Sequence, residues 1–237
     1  MDPIRIYTGF DQREAIGWHV FLQSVIERTD SPVDIVPLTE RLGRKLGIST
    51  DGTNAFSKIR FAVPYLCGFR GYALWCDAAD MLALTDIAEL WGMKPGHGEA
   101  VRVVKHDYQP KSKVKYVGTD LEAPNEPYER KNWSSLIYWD CNHFAHRKLE
   151  PEFIATQPGS YLHRFSWLKD EQIGELPEEW NWLDEYGDGP AKVMHHTTGI
   201  PGFTHYAEAP KADEWKKTML DCLEGMQYEI TLKASER

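Results

Sequence analysis

The stretch Tyr72-Ala-Leu-Trp-Cys-Asp-Ala-Ala-Asp-Met81 constrains the fold more than any other part of the sequence. Its first five residues carry no charge, and a short apolar run bounded by polar turn residues is typical of a buried parallel strand. Asp77 and Asp80 follow this run directly. In open α/β sheets ligands bind at the carboxyl ends of the strands. The stretch therefore predicts an α/β fold with an acidic site at one edge of its sheet.

Asp77 and Asp80 are close enough in sequence to share one cation. If the chain turns after Cys76, their Cα atoms come within the ~7 Å of a β-turn. Two carboxylates at one site repel each other unless a cation lies between them, and oxygen ligands suit Mg²⁺ or Mn²⁺. The alternative interpretation is a turn that only closes the strand, because Asp is a common turn residue.

Length, charge and cysteine content narrow the class of protein. The 237 residues fit one α/β domain, and the net charge of −9 argues against stable nucleic-acid binding, which uses clustered Lys and Arg. The four cysteines show no C-x-x-C spacing, so we expect reduced thiols and neither a zinc ribbon nor a disulfide framework. The sequence has no apolar run of the ~20 residues that span a bilayer. We expect a cytoplasmic protein without a membrane span.

The amino-terminal part has the pattern of a βαβ unit. A strand at 4–7 ends at Thr8-Gly9-Phe10, a helix at 12–28 follows, and a second strand occupies 33–38. The G-x-G-x-x-G turn of dinucleotide-binding proteins is absent. Phe10 and Asp11 occupy the switch from strand to helix, where a ring stacks on a base and a carboxylate accepts from it. The alternative is a helix cap, with Glu14 completing a capping box, beside a core Phe.

Patterns further along the chain predict its other elements. Helices are expected at 56–66, at about 85–91, from 149 and at 212–230. Strands are expected at 101–104, 132–142 and 191–194, and a loop at 41–54.

The basic residues are concentrated in one part of the sequence. The run from Lys105 to Lys115 is followed by Arg130 and Lys131, and it is either a solvated loop or a place where an anionic substrate is steered. Arg60 precedes the acidic strand on a predicted helix and has the geometry to bind a diphosphate, although a solvated surface Arg is the commoner case.

Five segments in this order resemble glycosyltransferases of the GT-A fold, in particular the family 8-like group with glycogenin and bacterial galactosyltransferases, and most of all phage-associated bacterial members. The resemblance covers the chain from Ile4 to about Phe203. It implies a mixed, mostly parallel central sheet flanked by helices. The segments are 7–14 (YTGFDQRE), 56–60 (FSKIR), 77–81 (DAADM), 130–135 (RKNWSS) and 195–199 (HHTTG).

The resemblance also implies roles for individual residues and parts of the chain. Asp170 and Glu171 would face the sugar or the acceptor hydroxyl as catalytic residues. The single domain 1–237 would divide into a nucleotide-binding part at about 1–105, an acceptor-side part at about 106–210 and a packing helix at about 211–230. Asp77, Asp80 and His195 would bind Mn²⁺ or Mg²⁺, and the donor would contact Tyr7, Gly9, Phe10, Asp11, Lys58, Arg60, Lys131, Asn132, Ser134 and Ser135.

The chain departs from the family pattern in two motifs. The family has D-x-D where this chain has Asp77-Ala-Ala-Asp80, so Asp80, which keeps the following Met, is the better candidate ligand. The late H-x-x-G motif contains two adjacent histidines and lacks the family's following Lys. Since strand side chains alternate between faces, only one of the two histidines can meet the ion, and we expect His195 rather than His196.

The resemblance thus implies a metal-dependent glycosyltransferase that moves a sugar from a nucleotide diphosphate, expected to be a uridine diphosphate sugar, with retention. The acceptor is open and includes a glycan, a lipid-linked glycan, a protein or a modified base. One alternative is a sugar- or nucleotide-sugar-binding protein of the same fold without turnover, which the longer acidic motif favours. Another is a nucleotide-sugar hydrolase or pyrophosphorylase, against which the missing Gly-rich phosphate loop argues.

Overall fold

A six-stranded mixed sheet forms the centre of the computed structural model, which describes residues 2–48 and 56–224. Its strand order is β2-β1-β3-β8-β5-β9. All neighbouring pairs are parallel except those of β8, which is antiparallel to both β3 and β5. The predicted α/β class with a mostly parallel sheet is therefore confirmed. The strands are β1 Ile4–Phe10, β2 Val33–Thr39, β3 Tyr72–Cys76, β5 Val101–Val103, β8 Leu136–Asp140 and β9 Ile173–Glu175.

Two smaller sheets lie beside the central one. The three-stranded sheet has the order β10-β11-β4 and pairs His195 with Met81 directly. This pairing brings the late histidine segment against the chain that follows Asp80, because β4 begins at Met81. The strands are β4 Met81–Ala83, β10 Trp182–Leu183 and β11 Val193–His195, and a two-stranded sheet is formed by β6 Val114–Lys115 and β7 Ala123–Pro124.

Helices connect and cover the strands. The longest are α1 and α7, which pack against each other, and α1 also packs on β4. The α-helices are α1 Ala15–Ile26, α2 Glu40–Lys45, α3 Val63–Leu66, α4 Ile87–Trp91, α5 Pro151–Thr156, α6 Gly159–His163 and α7 Ala212–Glu224. Short 3₁₀ helices occupy Gln12–Glu14, Ile59–Ala62, Phe144–Lys148, Asp170–Gln172, Glu178–Asn181, Asp184–Tyr186 and Thr204–Tyr206.

Alternation along β3 divides the core between the two faces of the central sheet. Trp75 is fully buried on one face together with Trp139 of β8, whereas Leu74 and Tyr138 pack on the other. Both faces of β3 are therefore covered, which explains why its sequence is a continuous apolar run.

Several predicted boundaries differ from the structure. The first strand does not end at Thr8 but continues to Phe10, because all seven of its residues pair with β2. The segment from Phe56 to Leu66 is not one helix, since a turn and a 3₁₀ helix precede α3, where Pro64 occupies the first turn that proline tolerates. The predicted 41–54 loop contains most of α2, and its residues 49–54 lie outside the described residues.

The carboxyl-terminal helix agrees with its prediction where it is described. α7 starts at Ala212, and the predicted continuation over 225–230 lies outside the described residues. Within 2–48 and 56–224, no helix has both the length and the apolar character needed to cross a membrane.

Candidate active site

A cavity of about 470 Å³ opens at the carboxyl end of β3. Its wall contains both acidic and basic side chains. A diphosphate with a bound cation would therefore have an oppositely charged partner for each of its charges. The acidic residues of the wall are Asp77, Asp80 and Glu126, the basic ones are Arg60, Lys115, Lys131 and Arg164, and polar residues include Ser57, Asn125, Asn132, Ser134, Ser135, His163, His195 and Thr197.

The acidic turn that follows β3 has an unusual backbone. Ala79 N–H donates to the Asp77 carbonyl at 2.8 Å, and Ala78 between them has φ of 67°. A three-residue turn with a left-handed non-glycine centre is rare and strained. This turn accommodates the additional residue of the motif and directs both Asp77 and Asp80 to the cavity.

Helix α1 fixes the position of this turn through a glycine. A Cβ atom added at Gly17 would lie 1.9 Å from the carbonyl oxygen of Ala79. Only a residue without a side chain permits this approach of helix and turn.

Asp77 is held by two donors from the central sheet region. Its Oδ1 accepts from Arg60 Nη1 at 2.5 Å and from Trp75 Nε1 at 2.9 Å. Arg60 is itself 4 % exposed and also donates to the Ser134 carbonyl. Burial raises the pKa of Asp77 to about 6, while the charge of Arg60 opposes that rise. Arg60 thus serves Asp77 within the cavity wall.

Asp80 and His195 form the second half of the acidic group. The Asp80 Oδ2 atom lies 3.4 Å from His195 Nε2 and accepts from the Tyr116 hydroxyl at 3.2 Å. Burial alone would raise the pKa of Asp80, but the neighbouring His195 lowers it below the usual range. Burial in turn opposes protonation of His195, yet Asp80 raises the pKa of the imidazole above its ordinary value. Each group thus favours the charged form of the other.

The two adjacent histidines point in opposite directions, as strand alternation predicts. His195 Nδ1 lies 2.9 Å from Asn181 Oδ1, so the ring donates there and its Nε2 faces Asp80. Nε2 of His196 lies 2.9 Å from the Pro210 carbonyl, away from the carboxylates. An amide that fixes the imidazole tautomer in this way is a common support for a metal-ligating histidine.

Asp184 fixes the segment after the histidines. Its carboxylate accepts from the backbone N–H and the hydroxyl of both Thr197 and Thr198. The backbone N–H of Glu185 is a fifth donor, and a buried carboxylate with five donors is a rigid support. It holds β11 and the two histidines in register.

Asp77, Asp80 and His195 have the arrangement of a cation site. Three potential ligand atoms, one from each residue, lie within 4.8 Å of one another. Asp80 Oδ1 is buried and has no hydrogen-bond partner among the described residues. Since buried polar atoms are normally paired, this oxygen beside an imidazole nitrogen fits a divalent ion. Oxygen and imidazole ligands together suit Mn²⁺ at least as well as Mg²⁺.

The opposite wall of the cavity supplies neutral and basic groups. His163 bridges Ser57 Oγ at 3.1 Å and Ser134 Oγ at 2.7 Å, and burial lowers its pKa to about 3. The Lys131 ammonium donates to the Glu126 carbonyl at 2.9 Å, and burial lowers its pKa to about 8. Lys131 follows Arg130, whose φ of 60° is left-handed, as is that of Asn132. This local backbone conformation places Lys131 in the wall.

Five predicted donor residues do not line the cavity as the structure describes it. Tyr7 is buried beside Cys67, and the ring of Phe56 lies 2.4 Å from where a Cβ of Gly9 would be. Asp11 acts as a helix cap, as the alternative interpretation expected, because its side chain accepts from Arg13 N–H at 3.0 Å. Phe10 packs edge-on against Trp18, and Lys58 is buried. Glu14 is buried as well.

Asp170 and Glu171 lie outside this cavity too. Their side chains are 86% and 73% exposed, and Asp170 accepts from Arg130 at 2.6 Å. Both residues thus lie at the solvated start of the short 3₁₀ helix Asp170–Gln172.

Sequence reasoning missed several residues that complete the site. Tyr116 contacts Asp80, Asn181 orients His195, and Asp184 holds the segment beyond it. Glu14 is 2% exposed, has an unpaired Oε1, and interacts with Tyr116 and Asp80. A buried helix-start carboxylate has no distinctive sequence pattern, so Glu14 reads as an ordinary cap.

Comparisons with known proteins place this geometry in context. No protein-family model matches the chain. Protein CDI of Arabidopsis thaliana is 36% identical over 230 residues, which cover 92% of this chain and 86% of that protein. The relation therefore extends over nearly the whole sequence.

Solved glycosyltransferase structures share the fold at low identity. They include the bifunctional glycosyltransferase WbbM (TM-score 0.64, 14% identity), GlyE of Streptococcus pneumoniae (0.63, 10%) and an active-site mutant of LgtC (0.55, 10%). They cover 92%, 93% and 92% of this chain. The chain spans 49% of the WbbM chain, 61% of GlyE and 96% of LgtC. These likenesses show a fold of the GT-A type.

Proposed function

Because this chain belongs to the family of Protein CDI and has a GT-A fold, we propose that it is a metal-dependent glycosyltransferase that uses a nucleotide-diphosphate sugar. The proposed donor is a uridine diphosphate sugar, and the proposed cation is Mn²⁺ or Mg²⁺. The observation that carries the proposal is the Asp77, Asp80 and His195 group with its unpaired Asp80 oxygen, set in a cavity with four basic residues.

The residues of the cavity suit the charge that develops during sugar transfer. When the bond between the anomeric carbon and the diphosphate breaks, negative charge grows on the departing phosphate. A divalent ion held by Asp77, Asp80 and His195 would stabilise that charge as a Lewis acid. Lys131, with its pKa lowered to about 8 by burial, and Lys115 would add positive charge in the same cavity.

Arg60 takes a different role in this proposal from the one its sequence position suggested. It neutralises and orients Asp77 instead of contacting the diphosphate as its first partner. The polar side chains of Asn132, Ser134 and Ser135 are proposed to face the sugar or the ribose, because they line the same cavity.

The finer assignments rest on the sequence motifs. We propose that the chain is a member of the family 8-like group, is related to phage-associated enzymes and retains the configuration of the sugar. We also propose a cytoplasmic location and a division of the chain into a nucleotide-binding part and an acceptor-side part. The proposed acceptor is a glycan, a lipid-linked glycan, a protein or a modified base.

Donor hydrolysis tests the function without knowledge of the acceptor. The full chain is incubated with a panel of nucleotide sugars in Mn²⁺, Mg²⁺ or EDTA, and nucleoside diphosphate release is measured. We expect release from one class of donor, with a metal requirement, and its loss in Asp80→Asn. Equal release in EDTA, or release unaffected by Asp80→Asn, would contradict the proposal.

A nucleotide-sugar-binding protein without turnover is the second candidate. The Arg60 contact with Asp77 favours it, because one carboxylate of the pair already has a cationic partner. Calorimetry would support this candidate over the enzyme if it showed metal-dependent binding of a nucleotide sugar while no diphosphate was released, whether candidate acceptors were present or not.

A further inference from the structure

One imidazole joins two serine hydroxyls in the wall of the candidate active site. His163, the last residue of α6, lies 3.1 Å from Ser57 Oγ through its Nε2 atom and 2.7 Å from Ser134 Oγ through its Nδ1 atom. All three residues line the cavity. The serines come from distant parts of the chain, so the imidazole bridges two separate segments. Neither the ion ligands nor the basic residues described above depend on this bridge.

Arg60 holds the backbone of the same two serines. Its Nε donates to the Ser57 carbonyl at 3.0 Å, and its Nη1 donates to the Ser134 carbonyl at 2.8 Å. Phe61 packs edge-on against the imidazole, with the ring centroids 5.2 Å apart. The backbone and the side chains of both serines are therefore fixed, as precise recognition of a ligand requires.

The bridge gives the two hydroxyls opposite hydrogen-bonding roles. Burial lowers the pKa of His163 to about 3, so the ring is neutral and has one N–H donor and one acceptor nitrogen. Hydroxyl donors form shorter hydrogen bonds than N–H donors do. The 2.7 Å bond is therefore donated by Ser134 to Nδ1, and the 3.1 Å bond is donated by Nε2–H to Ser57. Ser57 thus keeps its own proton for a ligand, whereas Ser134 can only accept from one.

We propose that His163 is a specificity-determining residue that sets these two roles, so that Ser57 and Ser134 together recognise a vicinal diol of the nucleotide sugar. This inference rests on the proposed function. The serines meet opposite nitrogens of the ring, so one ligand oxygen cannot reach both, whereas two neighbouring hydroxyls can. One hydroxyl of the diol accepts from Ser57, and the other donates to Ser134. The ribose and the transferred sugar both carry such a diol.

Binding of deoxy analogues tests the inference on the full chain. Calorimetry in saturating Mn²⁺ compares uridine diphosphate (UDP) with its 2′-deoxy and 3′-deoxy forms, and UDP-glucose and UDP-galactose with derivatives that lack single sugar hydroxyls. We expect a loss of about 3- to 10-fold, the size of one hydrogen bond, for analogues without either hydroxyl of the recognised diol. A loss in the first series assigns the ribose, and a loss in the second assigns the sugar. Equal affinities throughout both series would overturn the inference.

Variants show whether the bridge causes this discrimination. Ser57→Ala should abolish the loss for one deoxy analogue, Ser134→Ala should abolish it for the other, and His163→Phe should weaken it for both. His163→Gln keeps an amide donor and an amide acceptor, so it should discriminate better than His163→Phe. Ser166→Ala changes an exposed serine outside the cavity, and this matched control should discriminate as the native chain does. Discrimination that persists in all the bridge variants would overturn the inference.

The tautomer of His163 is measured by NMR. In the full chain labelled with ¹⁵N-histidine, long-range ¹H–¹⁵N correlations distinguish a protonated Nε2 from a protonated Nδ1, and the His163 signals are those lost in His163→Gln. We expect the proton on Nε2. A proton on Nδ1, or a charged ring at neutral pH, would contradict the assigned roles of the two serines.

Binding of UDP itself separates this inference from the proposed function. Absence of metal-dependent UDP binding would overturn the proposed function and the inference with it. Metal-dependent UDP binding without discrimination of the diol would overturn the inference alone. The comparison of analogues on the unaltered chain remains decisive if a variant does not fold.

Discussion

At the scale of single residues, Asp77 and Asp80 are two carboxylates with different partners. Asp77 balances the buried charge of Arg60, whereas Asp80 has an unpaired oxygen beside His195. Asp77→Asn should therefore reduce both stability and ion binding, whereas Asp80→Asn should act mainly on ion binding and weaken it more.

We expect Asp80→Asn to weaken Mn²⁺-dependent nucleotide binding by at least about 10- to 100-fold, since it removes a ligand. Asp77→Asn should lower the free energy of unfolding by about 3–5 kcal/mol, because it leaves the Arg60 charge buried and unpaired. Calorimetry and chemical unfolding of both variants measure the two effects. Equal losses of ion-dependent binding would show that the two carboxylates contribute equally as ligands and would contradict the larger role expected of Asp80.

His195 and His196 provide a second comparison of neighbours. His195→Ala should abolish Mn²⁺-dependent nucleotide binding at pH 7.5, while His196→Ala should keep it and lower stability through loss of its contact with the Pro210 carbonyl. A ligating imidazole must lose its proton, and Asp80 raises the pKa of His195 above 6.5. Affinity should therefore fall as the pH decreases, and the fall should begin above pH 6.5. Loss of binding only in His196→Ala would assign the ligand to the other histidine.

Glu14 predicts a pH dependence of stability. Burial, with the Asp80 charge, raises its folded-state pKa from 4.5 to about 8. Between these values the folded protein keeps a proton that the unfolded chain releases, so the stability contribution is complete below pH 4.5 and is lost as the pH rises towards 8.

Glu14→Gln removes this dependence. In EDTA at pH 8, the free energy of unfolding of Glu14→Gln should exceed that of the native chain by roughly 2–4 kcal/mol, since each pKa unit corresponds to about 1.36 kcal/mol. Little gain is expected at pH 4.5, which serves as the control. A gain that is the same at both pH values would contradict the assigned ionisation.

Residue-level prediction from the sequence succeeded where a motif fixes the position and failed where contacts are distant. The divergence of His195 from His196 follows from strand alternation alone. Tyr116 and Asn181 reach Asp80 and His195 from separate loops, so no local pattern indicates them. The resemblance placed Asp170 beside the sugar or the acceptor, whereas in the structure Asp170 accepts from Arg130 at the surface.

At the scale of elements, the contact between α1 and the acidic turn controls the candidate site. Gly17→Ala would bring a methyl carbon to 1.9 Å from the Ala79 oxygen. Because the obstacle is backbone, the turn must shift, and we expect a loss of about 1–3 kcal/mol or more together with weaker ion-dependent binding.

Gly159→Ala is the matched control for that substitution. Gly159 also lies in a helix, but an added Cβ would be 3.8 Å from its nearest neighbour, in ordinary contact with His163. Thermal unfolding of both variants should show a loss only for Gly17→Ala. Unchanged stability and binding in that variant would mean that the turn is free to move.

The elements predicted best were those with a clear apolar pattern. β3 was predicted with its exact limits because its two faces are both buried. The segment before α3 was predicted as continuous helix, since its apolar spacing matches a helix, but the chain tightens into a 3₁₀ turn that carries Arg60 to Asp77. The start of α3 is decided by tertiary contacts with a charged partner, and such contacts produce no hydrophobic periodicity in the sequence.

At the scale of the whole molecule, cation binding should stabilise the fold, because its ligands come from distant parts of the chain. At an Mn²⁺ concentration about 100-fold above the dissociation constant, mass action gives about 2.7 kcal/mol. For a chain of this size that is roughly 5–10 °C in Tm. Thermal unfolding with Mn²⁺ and with EDTA measures the shift, and Asp80→Asn should show none. An equal shift in that variant would locate the ion elsewhere.

The separation of Asp80 from His195 along the chain also bears on synthesis. A ribosome releases the acidic turn early, but β11 and its histidine emerge only after β5, β8 and β9 have been made. Until then the nascent chain exposes two carboxylates without the imidazole that completes the group, so it has no assembled cation site. Competence to bind the ion is therefore acquired late in translation, when β11 pairs with β4, and a ribosome-bound chain that stops before Val193 should remain unresponsive to Mn²⁺.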